Sequence, residues 1–134
     1  MSAMSDYLEQ QIIDHLFRTG TFSKPSAIYI ALFTAAPSDA GGGTEVSGGS
    51  YARVAVTQAD ANWNAPGTSG LTDNVSDITF PTATASWGTV THMGVFDAVS
   101  AGNLLLWGAL TASKAVGNGD TFKFSAGDLD VTFA

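Results

Sequence analysis

The sequence predicts a mainly β protein, with a single antiparallel β-sandwich or barrel-like domain preceded by one amphipathic N-terminal α-helix. Helical periodicity is confined to the first twenty residues, and short β-prone runs separated by Gly, Asn, Pro and Asp fill the remainder. The chain has 134 residues, of which 45% are hydrophobic. This size fits one domain and permits a core without disulfides or metal ions.

The helix is predicted over residues 5–19, where Leu8, Ile12 and Leu16 recur at four-residue intervals on one face. The predicted caps are Ser5 or Asp6 at the start and Gly20 at the end. We expect residues 1–20 to form a helical arm and residues 21–134 to form the β domain. The apolar stripe has two interpretations, since it would either cover one end of the β domain or dock on a partner subunit.

Seven β-prone runs follow the helix, each bounded by turn residues. The predicted strands are residues 27–34, 51–57, 75–80, 89–97, 104–110, 120–125 and 128–133. Within the sixth run, Phe122 and Phe124 are expected to face the core and Lys123 to face outward. Two long polar loops, residues 35–50 and 58–74, separate the early strands. Long ordered loops tend to be functional, so the first loop is predicted to be a contact surface.

Composition excludes several classes of function. Five Lys and Arg residues against twelve Asp and Glu residues give a net charge of −7, a poor footprint for nucleic acid. No apolar run is long enough to span a membrane, and the N-terminus lacks the pattern of a secretory signal. Only 13% of residues are charged. Such a surface suits a protein that neighbours partly cover, although it also suits an ordinary secreted or viral β domain.

Candidate catalytic and metal sites are weak. His15 and His92 are the two histidines, and no serine lies in a Gly-x-Ser-x-Gly turn. Asp128 and Asp130 alternate on a predicted strand, but calcium needs six or more oxygen ligands, so a solvated strand face is the favoured interpretation. The glycines at 41–43 lack the lysine of a phosphate-binding loop. We therefore predict no enzyme activity, no metal and no cofactor. A hydrolase remains the third hypothesis.

Tryptophans and loop residues supply the candidate contacts. Trp63, in the second polar loop, is expected to be more exposed than Trp107, which lies in an apolar run and is expected in the core. Exposed tryptophan also stacks on sugars, so carbohydrate contact stays an alternative for Trp63. The predicted partner contacts are Leu8, Ile12, Leu16, Pro37, Asp39, Glu45, Val46 and Trp63.

Three segments carry a family resemblance. They are YIALFTAAPSDAGGGTEVSGGSYARVAV at residues 29–56, ITFPTATASWGTVTHMGVFDA at 78–98, and GNLLLWGALTASKAVGNGDTFKFSAGDLDVTF at 102–133. Together they resemble a family of small tailed-phage virion proteins, and the resemblance covers nearly the whole chain. Relatives of this kind are labelled capsid decoration (cement) proteins or tail-fibre-like proteins.

The resemblance implies a structural role without a catalytic motif. As a decoration protein, the chain would sit on the capsid exterior after synthesis in the host cytoplasm. Its partners would be the major capsid protein and copies of itself in a homotrimer, and many weak contacts would stabilise the lattice. The alternative is a tail or tail-fibre component that binds a receptor or a host surface glycan.

Overall fold

The computed structural model describes residues 2–133. Its strands pair in antiparallel fashion, and one helix lies near the N-terminus. The elements are β1 (Ala3–Met4), α1 (Asp6–Phe17), β2 (Ile28–Ala35), β3 (Thr44–Glu45), β4 (Val54–Val56), β5 (Leu71–Thr72), β6 (Ile78–Thr79), β7 (Gly88–Phe96), β8 (Leu104–Val116), β9 (Lys123–Phe124) and β10 (Val131–Thr132). The mainly β prediction is confirmed. Within the described residues the sheets do not close into a barrel, so the arrangement is sandwich-like.

The main sheet has the order β1-β8-β7-β2, and β3 and β4 pair in turn with β2 along its outer edge. Two small antiparallel pairs, β5 with β10 and β6 with β9, complete the fold. In the main sheet Ile30 pairs with Val95 and Leu32 with Met93. Because side chains alternate along a strand, these four residues share the face that packs into the core.

One hydrophobic cluster joins the main sheet to the small strand pairs. At its centre Phe80 lies edge-on to Phe122, with ring centroids 5.7 Å apart, and Phe122 lies edge-on to Phe124 at 5.1 Å. Both phenylalanines of the TFKF run, Phe122 and Phe124, face inward as predicted, whereas half of the Lys123 side chain is exposed. The aromatic pattern of that run therefore fixes which side of β9 enters the core.

Helix α1 is attached at its N-terminal end. β1 pairs with β8 at Trp107 and Leu106, and the buried Ser5 then caps the helix by accepting a hydrogen bond from the Leu8 amide at 3.2 Å. Leu8 is the one fully buried residue of the helix. The helix ends at Phe17, earlier than predicted, because the Arg18 amide closes the last turn on Asp14 before the chain reaches its glycine.

Each predicted strand contains an observed strand, but most are shorter than expected. β2 and β7 have the expected lengths, and β8 is longer because it extends to Val116 through a bulge. Ala109 pairs with His92 and Lys114 pairs with Val90, so residues 110–113 stand out from the ladder. A bulge of this kind interrupts an otherwise open sheet edge. No helix in residues 2–133 has the length and apolar character that a bilayer crossing requires.

Candidate functional site

A groove lies on the outer face of the main sheet, opposite the core, where the first long loop folds back over the strands. It has a volume of about 390 Å³. Phe33 and Phe96 line it together with Arg53, and residues 39–43 and 101–104 form its rims. We call it the outer groove. Its position follows from strand alternation, because Phe33 points away from the face that buries Leu32.

Arg53 fixes both rims of the outer groove. Its Nε and Nη2 each donate to the Glu45 carboxylate at 2.8 Å, in a bidentate ion pair whose arginine side chain is only 7% exposed. Nη1 donates to the carbonyls of Ala98 and Ala101, at 2.9 and 2.8 Å. The guanidinium carbon also lies 3.6 Å from the centroid of the Phe96 ring. One side chain therefore ties β3 to the segment between β7 and β8.

Tyr51 completes the same hydrogen-bonded cluster. Its hydroxyl donates to Glu45 Oε1 at 2.9 Å and accepts from the Leu32 amide at 3.0 Å. The ring packs edge-on against Trp87, with centroids 5.3 Å apart. Burial, partly offset by the Leu32 hydrogen bond, raises the pKa of the Tyr51 hydroxyl well above its usual value. We call Glu45, Tyr51 and Arg53 the clamp, since together they hold the first loop on the sheet.

Gly43 lets the first loop approach β2 closely. Its φ of +76° lies in the left-handed region, and an added Cβ would lie 2.7 Å from the Pro37 nitrogen and 2.8 Å from the Ala35 carbonyl oxygen. Neighbouring Gly42 has a similar φ of +79° but open space around it. The loop is therefore an ordered structure whose tight packing depends on glycine at one position.

The predicted loop contacts divide between surface and interior. Asp39 and Glu45 line the outer groove, while Pro37 and Val46 are buried beneath the loop. Asp39 also joins other elements, because its Oδ1 accepts from Trp107 Nε1 at 2.9 Å and its carbonyl accepts from the Asp6 amide at 2.9 Å. The buried pair therefore supports the loop, and Asp39 offers the exposed part of the rim.

The predicted helix contacts lie elsewhere. Leu8 is buried, Ile12 is half-buried and Leu16 is 66% exposed, so the stripe leaves the body as it runs toward the helix C-terminus. Both interpretations of the stripe thus describe part of it: its first turn covers the β domain and its last turns have no cover within residues 2–133. Leu8 also lines a second concavity, the apolar groove, together with Trp63.

The core position expected for Trp107 is wrong, and both Trp63 and Trp107 are half-buried. Trp63 packs against the core cluster, and its Nε1 is buried without a hydrogen-bond partner. Trp107 is half-buried on the outer face, where its indole N–H reaches Asp39. The apolar run around Trp107 suggested burial, but the register with Gly94 places this side chain on the outer face. The loop around Trp63 folds onto the body through a bridge between Trp63 and Asn74.

The histidines have local partners. His15 Nδ1 accepts from the Phe22 amide at 3.2 Å, and His92 Nδ1 lies 2.8 Å from Thr91 Oγ1. Asp128 accepts from the Ser125 amide and so closes a turn. In the part of the chain that the structure describes, no three His, Asp or Glu side chains converge as metal ligands.

The clamp was not identified as a site from the sequence, although its residues stand in the GTEVSGGSYAR motif. Tyr51 and Arg53 are two residues apart, and in an extended segment such residues point to the same side. Glu45 stands eight residues before Arg53, across a glycine-rich turn, and was the available sign that Arg53 has an acidic partner. Pairing Glu45 with both residues requires the β2–β3 register, which the sequence does not display.

Comparison with known families gives a match over nearly the whole chain. Residues 3–132 match the model of the family described as Podophage GP4 fiber I protein gp80. No curated protein matches the chain. The family match confirms the resemblance to tailed-phage virion proteins, and its description agrees with the tail-fibre label given to some relatives.

Proposed function

The chain belongs to this family of phage virion proteins, and on that premise we propose that it is a structural component of the tail-fibre assembly. It acts through non-covalent protein–protein contacts, without a cofactor and without catalysis. The observation that carries the proposal is the family match over residues 3–132, whose description names a fibre protein. The tail-fibre hypothesis is therefore preferred to the capsid decoration hypothesis that the sequence first favoured.

The geometry of the outer groove supports a binding role. The charges of the clamp are used internally, because the carboxylate of Glu45 accepts from Arg53 and from Tyr51. The described lining residues of the outer groove include no serine, threonine, cysteine or histidine. What the groove offers is a fixed shape with an aromatic floor. A surface that is already ordered loses little conformational entropy when it binds, which favours a contact site.

Capsid decoration is the second candidate. Charged residues make up only 13% of the chain, and a surface poor in charge suits broad contact with neighbouring subunits. In this role a homotrimer would bridge major capsid subunits on the capsid exterior, and high copy number would offset weak individual contacts.

A receptor- or glycan-binding module on the tail is a further form of the first proposal, with Trp63 as its aromatic candidate.

Purified virions test the location directly. Quantitative mass spectrometry gives the copy number relative to the major capsid protein, and immunogold labelling gives the position. A few to a few dozen copies with label on the tail would support the fibre proposal. Hundreds of copies with label over the head would reject it in favour of decoration.

A matched pair of variants tests the outer groove as the contact surface. Ala40→Arg places a large cation on the exposed rim, and Ala61→Arg places the same group on an exposed loop away from it. Both are added to particles assembled without the protein, and incorporation is measured. We expect Ala40→Arg to reduce incorporation and Ala61→Arg to leave it unchanged. Equal incorporation of both variants would exclude the outer groove.

A further inference from the structure

The last two turns of α1 form an apolar knob with no cover in residues 2–133. Ile13 is 53% exposed, Leu16 is 66% exposed and Phe17 is 81% exposed. They stand three and four residues apart, so they share one face of the helix. Large exposed apolar side chains that cluster in this way mark an interaction surface more often than scattered ones do.

The same chain carries a concave apolar surface that is not filled. The apolar groove has a volume of about 370 Å³. Residues of α1, of the segment after it, of the main sheet and of the C-terminal strand line it, among them Phe22, Lys24, Pro25, Trp63 and Phe133. A cavity of about 150 Å³ is enough to hold a benzene ring. The groove therefore has room for a phenylalanine ring and a second apolar side chain beside it.

We propose that the knob of one copy inserts into the apolar groove of a second copy of this chain, with Phe17 as the anchor. Phe17 does not line the groove of its own chain. Knob and groove are thus different parts of the surface, and the contact between copies is heterologous. Contacts of this type build rings or longer assemblies. The proposal deepens the proposed function and rests on it in one respect: a fibre component is used in repeated copies.

Charge complementarity favours a second copy as the occupant. Lys24 lines the groove and forms no ion pair within the described chain. The knob lies at a helix C-terminus, where the last carbonyls lack helical partners and carry partial negative charge. Asp14 lies on the same turn, but its carboxylate is already paired with Arg18 at 3.0 Å, so the pair adds no net charge. Insertion of the knob therefore brings the partial negative charge of the helix end to a lysine that has no ion pair within the described chain.

The groove wall also contains a polar group without a partner. Trp63 Nε1 is the one buried side-chain nitrogen or oxygen in residues 2–133 that makes no hydrogen bond. Buried donors are nearly always satisfied in folded proteins. The terminal carbonyls of an inserted helix are acceptors in need of donors. The apolar fit and the polar fit thus point to the same occupant.

Self-association of the purified chain tests the proposal by sedimentation over a range of concentrations. We expect an oligomer that Phe17→Ser weakens at least about tenfold, since burial of a phenylalanine side chain accounts for that factor or more. Lys24→Glu is expected to weaken it as well. Val99→Ser removes another exposed apolar side chain, 61% exposed, and Lys114→Glu makes the same charge change elsewhere. Both controls are expected to keep the oligomer.

Cysteine cross-linking checks the geometry, and the chain has no cysteine of its own. Leu16→Cys is mixed with Lys24→Cys under mild oxidation, and the mixed disulfide is measured against a mixture of Val99→Cys with Lys24→Cys. Preferential cross-linking of the first pair supports the contact. A wild-type monomer at high concentration, an oligomer insensitive to Phe17→Ser and Lys24→Glu, or equal cross-linking in both mixtures would overturn it. These measurements use the isolated protein, so they are independent of where virions carry it.

Discussion

Replacing Arg53 by alanine is the most direct test of the clamp. The substitution removes two bonds of 2.8 Å to Glu45, the donors to the carbonyls of Ala98 and Ala101, and the contact with the Phe96 ring. Loss of one partner of a buried ion pair costs about 3–5 kcal/mol. Because the Glu45 side chain is 27% exposed, water partly compensates its carboxylate, and the lower end applies. We expect a loss of about 3 kcal/mol in the free energy of unfolding, or about 10 °C in Tm for a domain of this size.

Urea unfolding followed by tryptophan fluorescence and calorimetry measures this loss. The matched control is Lys123→Ala, which removes an ion pair to Asp77 at 3.1 Å whose side chains are 52% and 48% exposed. Water screens exposed pairs of this kind, so they contribute little to stability. Arg53→Lys keeps the charge but not the bidentate geometry, so most of the loss is expected to remain. If Arg53→Ala costs no more than Lys123→Ala, the clamp does not hold the loop and the reasoning fails.

Three further predictions concern the same elements. Burial raises the pKa of the Tyr51 hydroxyl, so above about pH 10 the unfolded chain loses a proton that the folded chain keeps. The contribution to the free energy of unfolding is therefore complete below that pH and falls above it. Tyr51→Phe should flatten this fall in a pH series of urea titrations, and an unchanged slope would contradict the raised pKa. Gly43→Ala should destabilise the chain well beyond Gly42→Ala, since both strain a positive φ by about 1–2 kcal/mol but only the first meets backbone atoms; equal Tm values would refute the close approach. Ser5→Ala should cost about 1–2 kcal/mol, because it removes the cap of α1 and the hydrogen bond to the Leu104 carbonyl; calorimetry showing no change would exclude Ser5 as the cap.

Local patterns predicted the helix and the long strands, because those elements are specified by their own residues. The four-residue stripe located α1, and the runs that became β2 and β7 were placed within one residue at each end. β1, β3 and β5 were missed for a common reason. Each has two residues, too few to show a period, and each exists only because a partner strand lies beside it.

The candidate site was less accessible to sequence reasoning, because its residues meet through tertiary contacts. The first long loop was predicted to be an ordered contact surface, and it is ordered, but the interior positions of Pro37 and Val46 depend on how it folds back over the sheet. Arg53 was visible only as part of a motif, since its four hydrogen bonds end on residues up to 48 positions away. The exposure of Leu16 depends on how far the β domain extends beneath α1, which the sequence does not display.

The three clamp residues lie within the motif that carries the family resemblance. Glu45, Tyr51 and Arg53 are committed to one another, so a chain that shares them shares the folded loop and not necessarily its partner. Under the two proposals, specificity lies in residues that the clamp positions without using them, such as Ala40 on the groove rim, and in the knob at Phe17. A variant of the clamp should therefore lower stability and every contact together, whereas a variant of the rim or knob should remove one contact from a protein of unchanged stability.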